Sequence, residues 1–341
     1  MNYSDLYSWF THHKRDLPWR ETRDAYKIWI SEIILQQTRV NQGIAYYYRF
    51  IEAFPTVEDL ARASEDRVLR LWQGLGYYSR ARNLHRAARM MYEGKMYDVR
   101  RDIFPKTYEE MRKLPGVGDY TAGAIAAFAY NLPYPALDGN VYRVLSRLTN
   151  CAIAFDTTAG KKHFHHVAEE LLDKENPRLF NSAIMELGAL HCVPTRPDCA
   201  SCPLRYDCQA YQHGTVEELP VRKVRPQLQD RYLNYTVYIE ASNKSDKGTW
   251  RTLIHQRQEK DIWQHLYEFV LEESESLKES PLHLDFTHIL SHRRLHARFH
   301  IEYVDRLPQI ADTVAVSWAE LDEYALSRLT LKAIEAIEKR F

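Results

Sequence analysis

Apolar residues recur at three- and four-residue intervals through most of residues 5–214, in stretches parted by short polar or proline-containing breaks. That period predicts helices over 4–13, 25–36, 38–53, 64–72, 78–92, 107–113, 119–130, 139–149, 160–173 and 177–190, and no strand hairpin among them. The pattern then changes. Residues 215–231 are polar and basic and hold two prolines, which suits a linker. Tyr232–Glu240 (YLNYTVYIE) alternates and is rich in aromatic and β-branched residues, as strands are, and Trp250–Gln256 and Phe299–Val304 read the same way. Val-Ala-Val-Ser-Trp at 314–318 and an amphipathic closing helix follow. The expected organisation is multidomain, α and α+β: an all-α domain over 1–214, a linker over 215–231 and a mixed α+β domain over 232–341. A chain of 341 residues is long enough for each domain to bury its own core.

No run of about 18 apolar residues occurs, so no membrane span is expected. The opening MNYSDLYSWFTHHKRDLPWR is polar where a signal peptide needs an apolar core, and a cytoplasmic location is expected. Formal net charge is zero, and residues 1–220 carry 28 Lys and Arg against 27 Asp and Glu, so binding to nucleic acid must rest on local patches. Arg82, Arg86 and Arg89 share one face of a predicted helix, with Arg80 nearby; the face is either solvated or set against phosphates.

The chemistry concentrates in 114–147, LPGVGDYTAGAIAAFAYNLPYPALDGNVYRVLSR. Gly116-Val117-Gly118 is a turn feeding a helix, and free N–H groups at a helix start suit a phosphate. Pro133 and Pro135 stop that helix, and Asp138 stands where an N-cap belongs, before Val141, Val144, Leu145 and Leu148. Helix dipole and backbone donors would keep this carboxylate ionised. Taken singly, each feature is also what an ordinary turn or cap looks like. Glu32 lies among Ile28, Trp29, Ile30, Ile33, Ile34 and Leu35, on a helix apolar nearly all round and therefore buried. Burial there should raise its pKa, as a general acid requires, unless Arg15, Arg20 or Arg39 neutralises it.

Cys192, Cys199, Cys202 and Cys208 are spaced C-x6-C-x2-C-x5-C. Disulfides do not suit an intracellular chain, and structural zinc would want two paired knuckles where only Cys199/Cys202 has that form. Four thiolates on one compact loop suit a 4Fe–4S cluster, with zinc or no metal as the alternatives. Cys151 is left over as a core thiol.

The Gly-Val-Gly turn, the downstream LDGN and the cysteine spacing together resemble the helix-hairpin-helix DNA glycosylases that carry an iron–sulfur cluster. WISEIILQQTRV (29–40) and LWQGLGYYSRARNLH (71–85) narrow the resemblance to the MutY family of adenine glycosylases, densely over about 1–220 and more loosely beyond. It implies an all-α helix-hairpin-helix glycosylase domain with a 4Fe–4S loop and a Nudix-like α+β domain. It further implies a monomer acting on double-stranded DNA with adenine opposite 8-oxoguanine or guanine. Endonuclease III-like relatives carry a strand-cutting lysine where this chain has Tyr120, so base removal without strand cleavage is implied.

By the same resemblance, Glu32 protonates N7 of adenine, Asp138 stabilises the oxocarbenium-like sugar, and Tyr120 and Asn140 position acid, sugar or water. Arg15, Trp19 and Arg20 line the adenine pocket, and Ser182 stands where relatives often carry Glu or Gln. Gln37 and Tyr77 fill the gap and wedge the opposite strand, although Tyr77 and Tyr78 also read as simple packing. Gln37, Thr38 and Leu75 contact the 8-oxoguanine side. Gln256-Arg257 and Ile262–Phe269 resemble the family's Nudix-related domain, without the acidic box that hydrolysis needs. Ser291 and His292 match a lesion-reading Phe-Ser-His loop in which position 290 is here Leu; without the resemblance they read as an exposed loop. Two rivals stand beside this reading. One is a pyrimidine-lesion glycosylase with lyase activity, against which Tyr120 and the second domain argue. The other is a silent DNA-binding protein holding zinc, against which Glu32 and Asp138 argue.

Overall fold

The structure, a computed structural model, describes residues 1–94, 103–224, 227–243 and 246–340. It divides into two compact units, 1–61 with 86–224 and 62–85 with 225–341. The division differs from the one expected: 62–85 goes with the second unit, and the first runs on to 224.

In chain order the helices are α1 (Tyr3–His13), α2 (Ala25–Leu35), α3 (Val40–Ala53), α4 (Val57–Arg62), α5 (Glu65–Trp72), α6 (Ser79–Tyr92), α7 (Tyr108–Met111), α8 (Asp119–Tyr130), α9 (Gly139–Leu148), α10 (Thr158–Leu171), α11 (Pro177–Leu190) and α12 (Gln209–His213), with a short 3-10 turn at Pro18–Arg20. Each of the ten expected helices is present within two residues at either end, and α4 and α12 join them. Among the described residues no helix is long and apolar enough to cross a membrane.

Two packing relationships in the first unit position the site. The carboxylate of Asp24 accepts the N–H groups of Tyr26 and Lys27 and starts α2, which is buried at nearly every residue. The helix packs on α3 and on α8, whose sequence is rich in alanine. The second relationship joins α1, α9 and α11 around Leu6, Phe10, Val141, Val144, Leu145, Ile184 and Leu187, the apolar stripes that the periodicity marks. Gly188 of α11 lies against the first turn of α9: a Cβ there would meet the Asn140 Cβ at 2.8 Å and its carbonyl oxygen at 2.9 Å.

The second unit is a seven-stranded sheet with α13 (Arg328–Arg340) packed on it through Leu329, Ala333 and Ile337. Its strands are β1 (Gln229–Ala241), β2 (Trp250–Gln256), β3 (Tyr267–Glu268), β4 (Val270–Ser274), β5 (His283–Ile289), β6 (Arg293–Val304) and β7 (Thr313–Ser317). The order is β3-β2-β1-β6-β5, with β4 paired to β1 and β7 to β2. β1 and β6 run parallel in register from Gln229↔Arg293 to Glu240↔Val304, and the other pairs are antiparallel. β1 starts inside the stretch expected as linker. Tyr235, Val237, Trp250, Phe299 and Trp318 fill the core beneath the sheet. Residues 62–85 join this unit through side chains on backbone: the Tyr78 hydroxyl donates to Leu326 O at 3.1 Å and Arg82 Nη1 to Gln264 O at 2.6 Å.

Candidate active site

Glu32 is 5 % exposed, and its helix turns it into a cavity of about 1180 Å³ that Asp138, Tyr120 and Asn140 also line. The Tyr120 hydroxyl donates to Glu32 Oε2 at 2.6 Å. Burial lifts the Glu32 pKa to about 7; the Tyr120 donor and the Arg20 cation pull it down, and the Asp138 charge adds to the rise. Burial also keeps the Tyr120 phenol far above its usual range, so it stays a neutral donor.

Asp138 caps α9. Its Oδ1 accepts the Val141 N–H at 2.8 Å, and its Oδ2 accepts from Asn140 Nδ2 at 2.8 Å. Those donors and Arg143 favour the carboxylate, yet burial outweighs them and the net direction is upward from the ordinary value. The cap donors expected to hold Asp138 ionised are therefore opposed by desolvation. Arg143 braces the arrangement: its Nη2 donates to Asn140 Oδ1 and to Gly188 O, and its Nε donates to Cys192 O at 2.7 Å.

None of the three arginines considered as neutralisers pairs with Glu32. Arg15 and Arg20 both bind another carboxylate, Glu186, at 2.7 Å each, and Arg39 is exposed. Arg15, Trp19, Arg20, Gln37, Thr38, Ser182 and Glu186 all line the same cavity. Gln37 is exposed at φ +58°, a left-handed conformation that a side chain rarely adopts outside functional or turn positions. The Thr38 hydroxyl is buried with no hydrogen-bond partner.

Gly116 adopts φ +79°, which glycine alone takes easily. Gly118 corrects the expectation for a paired glycine turn: its φ of −91° suits any residue, and a Cβ there would meet nothing within 4 Å. Nothing in the chain requires a glycine at 118, so the open space is available to a ligand. Val117 is buried, and its carbonyl accepts from Arg112.

The four cysteines line one small cavity with Arg147. Arg147 is fully buried and donates to Val193 O, Pro194 O, Val216 O, Leu219 O and the Cys192 sulfur, so α9 carries Asp138 at its start and organises the cysteine loop near its end. Among the described residues no three His, Cys, Asp or Glu side chains converge closely enough to hold one metal ion. Cys151 is half-buried against the neighbouring core.

In the second unit Leu75 and Tyr78 are buried, while Tyr77 is 46 % exposed at φ +48° beneath the Arg80 guanidinium. The two tyrosines thus divide the alternatives, with Tyr78 packed and Tyr77 offered to solvent. Leu75 is core rather than surface. Arg80 and Arg82 donate to backbone carbonyls and are not a free cationic face. Ser291 and His292 form the exposed tip of the β5–β6 hairpin, joined by a 3.2 Å contact from Ser291 Oγ to His292 Nδ1; Leu290 packs inward and Arg293 pairs with Asp261.

Sequence reasoning missed Glu186, Arg143 and Arg147. The logic applied to Glu32 would have found Glu186, a lone carboxyl in the apolar run LFNSAIMELGAL. The two arginines stand four residues apart on the helix that Asp138 starts, but nothing in their spacing tells a buried brace from a solvated pair.

A family model described as HhH-GPD superfamily base excision DNA repair protein matches residues 30–172, and one described as NUDIX domain matches 241–336. The adenine DNA glycosylase of Mus musculus is 42% identical over 243 residues, 68% of this chain and 46% of that protein. The chain thus spans less than half the length of that relative. The adenine DNA glycosylase of Buchnera aphidicola subsp. Baizongia pistaciae (strain Bp) is 34% identical over 304 residues, 86% of this chain and 84% of that protein. Among solved structures, a thermostable thymine-DNA glycosylase superposes with a TM-score of 0.54 at 27% identity, covering 62% of this chain and 94% of its own.

Proposed function

We propose that this chain, which belongs to the adenine DNA glycosylase family, removes adenine mispaired with 8-oxoguanine or guanine in duplex DNA and leaves an abasic site. The observation that carries the reading is the shared cavity of Glu32 and Asp138, with the Tyr120 hydroxyl on Glu32.

Adenine is a poor leaving group until N7 is protonated. A carboxyl with a pKa of about 7 keeps its proton near neutrality and can deliver it. Loss of the base leaves positive charge on the sugar. Asp138, fixed by Val141 and Asn140, supplies a negative group in the same cavity. Glu32 as acid and Asp138 as anion divide the work as paired carboxylates do in glycoside hydrolysis. A buried acid cannot reach a stacked base, so the adenine must be extruded into the cavity. Arg15, Trp19 and Arg20 would line its pocket, and the N–H groups of Gly116 and Gly118 would take a backbone phosphate, the Val117 N–H being bonded to Leu114 O at 3.1 Å. Gln37 and Tyr77, held in strained conformations, would fill and wedge the duplex. Thr38 and the hairpin tip Ser291-His292 would read the 8-oxoguanine side. Leu75, being buried, would act by supporting Tyr77. The lysine that cuts the strand in endonuclease III-like enzymes is replaced by Tyr120, which supports base release without cleavage.

Cys192, Cys199, Cys202 and Cys208 would hold a 4Fe–4S cluster. A zinc tetrahedron draws its sulfurs to about 3.8 Å from one another. Four sulfurs around a common cavity, without three donors converging on one point, fit a multi-atom core better. When bound, the cluster would cross-link the loop that Arg147 organises. A monomer working on chromosomal DNA in the cytoplasm completes the reading.

The test is single-turnover base release from duplexes with adenine opposite 8-oxoguanine, adenine opposite guanine, and thymine glycol. Release from the two adenine duplexes, with strand breaks only after alkali, is expected. Release from the thymine glycol duplex with a break before alkali would support the lyase reading instead.

A further inference from the structure

Glu186, buried at 1 % exposure, is a third carboxylate of the same cavity, and the chemistry above does not use it. It accepts from the Arg15 backbone N–H at 2.8 Å, from Arg15 Nε at 2.9 Å and Nη2 at 2.7 Å, and from Arg20 Nη1 at 3.1 Å and Nη2 at 2.7 Å. Both guanidinium groups are thus tied to one carboxylate on α11, while the arginines come from the short segment around the Pro18–Arg20 turn. We propose that Glu186 is a positioning residue that fixes Arg15 and Arg20 in the cavity and, by neutralising Arg20, helps Glu32 keep its proton. The inference rests on the reading of Glu32 as the acid.

The charged and titratable groups that bear on Glu32 are Tyr120 from α8, Asp138 from the cap of α9, and Arg20 from the turn. Tyr120 and Arg20 favour its carboxylate; Asp138 and burial oppose it. Arg20 is the one full cation among them, and its charge is answered by Glu186. The two arginines hold the Glu186 pKa down to about 2, so this counter-charge is constant over any working pH. A glutamine at 186 could still accept hydrogen bonds but could not offset Arg20. The Arg20 charge, no longer offset, would favour the Glu32 carboxylate more strongly, and Glu32 would lose its proton at lower pH.

Single-turnover release measured against pH with wild type, Glu186→Gln, Glu186→Asp and Arg20→Met decides the matter. For E186Q the rate should fall away at a pH about one unit lower than wild type. The deficit would then be roughly eightfold at pH 7.5 and nearly absent at pH 5.5. E186D keeps the charge and should follow the wild-type profile shape. Arg20→Met removes the cation and should move the fall to higher pH. A brace with no electrostatic role would lower the rate by one factor at every pH, and a flat ratio of E186Q to wild type overturns the proposal. If E186Q does not yield a folded chain, the Arg20→Met profile decides alone, by moving upward or not. Glu32→Gln, run alongside, separates the two levels. Retained release in E32Q sinks the acid assignment and this inference together, whereas an inactive E32Q beside a flat E186Q ratio sinks the inference alone.

Discussion

The Tyr120 hydroxyl donates to Glu32 Oε2 across 2.6 Å in a buried site, and this one bond works against the burial that lifts the acid. A donor to a carboxylate favours its charged form, so removing the hydroxyl should raise the Glu32 pKa further. In Tyr120→Phe the alkaline fall of the rate should move up by about one pH unit. The plateau should drop at the same time, because the acid loses its restraint. A pH–rate profile with the fall unmoved, or moved down, would contradict the pairing.

Glu32 should also weaken the fold above neutrality. Its ordinary pKa of 4.5 rises to about 7 in the folded chain. The folded state therefore binds the proton more tightly than the unfolded one. The associated stability is fully present below pH 4.5 and is lost as pH rises through 7. Glu32→Gln avoids that loss and should gain up to about 3 kcal/mol relative to wild type at pH 8, and much less at pH 5. Denaturant melts at the two pH values check this, and an equal effect at both would refute it.

Gly188→Ala should act on the site without touching it. The added methyl would press on Asn140 at the first turn of α9. Overpacking of this kind costs about 1–3 kcal/mol. Displacing Asp138 and Asn140 should slow base release about tenfold or more, while duplex binding is kept. Thermal melting and single-turnover rates on the same preparation test it; a variant with lowered melting and an unchanged rate would mean that the cap has no positional role.

The helical half of the fold was readable because long amphipathic periods leave little choice of partner face, as in α2 and α9. The sheet was only partly so. β6 was seen only at Phe299–Val304, because Arg293, Arg294, His296 and Arg298 interrupt the apolar run with side chains that pair with Asp261, Asp230 and Asp285. β5 is an edge strand of mixed character, β3 has two residues, and β4 takes its place only by pairing with β1. Within the site, Glu32 and Asp138 could be picked out because a carboxyl in an apolar helix and a carboxyl at a cap are local patterns. That Arg15 and Arg20 choose Glu186 over Glu32 depends on how α11 meets the Pro18–Arg20 turn, more than 160 residues apart, and no local pattern carries it.

The cysteine loop offers an independent check. Purified chain should show a broad absorption band near about 400 nm with iron and sulfide in equal amounts, and Cys199→Ser should lose most of both. Zinc in place of iron, with no such band, would overturn the cluster assignment and leave the carboxylate chemistry untouched.

The most direct measurement is single-turnover adenine release from a duplex with adenine opposite 8-oxoguanine, comparing wild type with Glu32→Gln and Asp138→Asn at enzyme concentrations that saturate binding. Both variants should bind the duplex and fail to release the base at a measurable rate. Release at the wild-type rate by both would contradict the assignment of acid and anion to these residues.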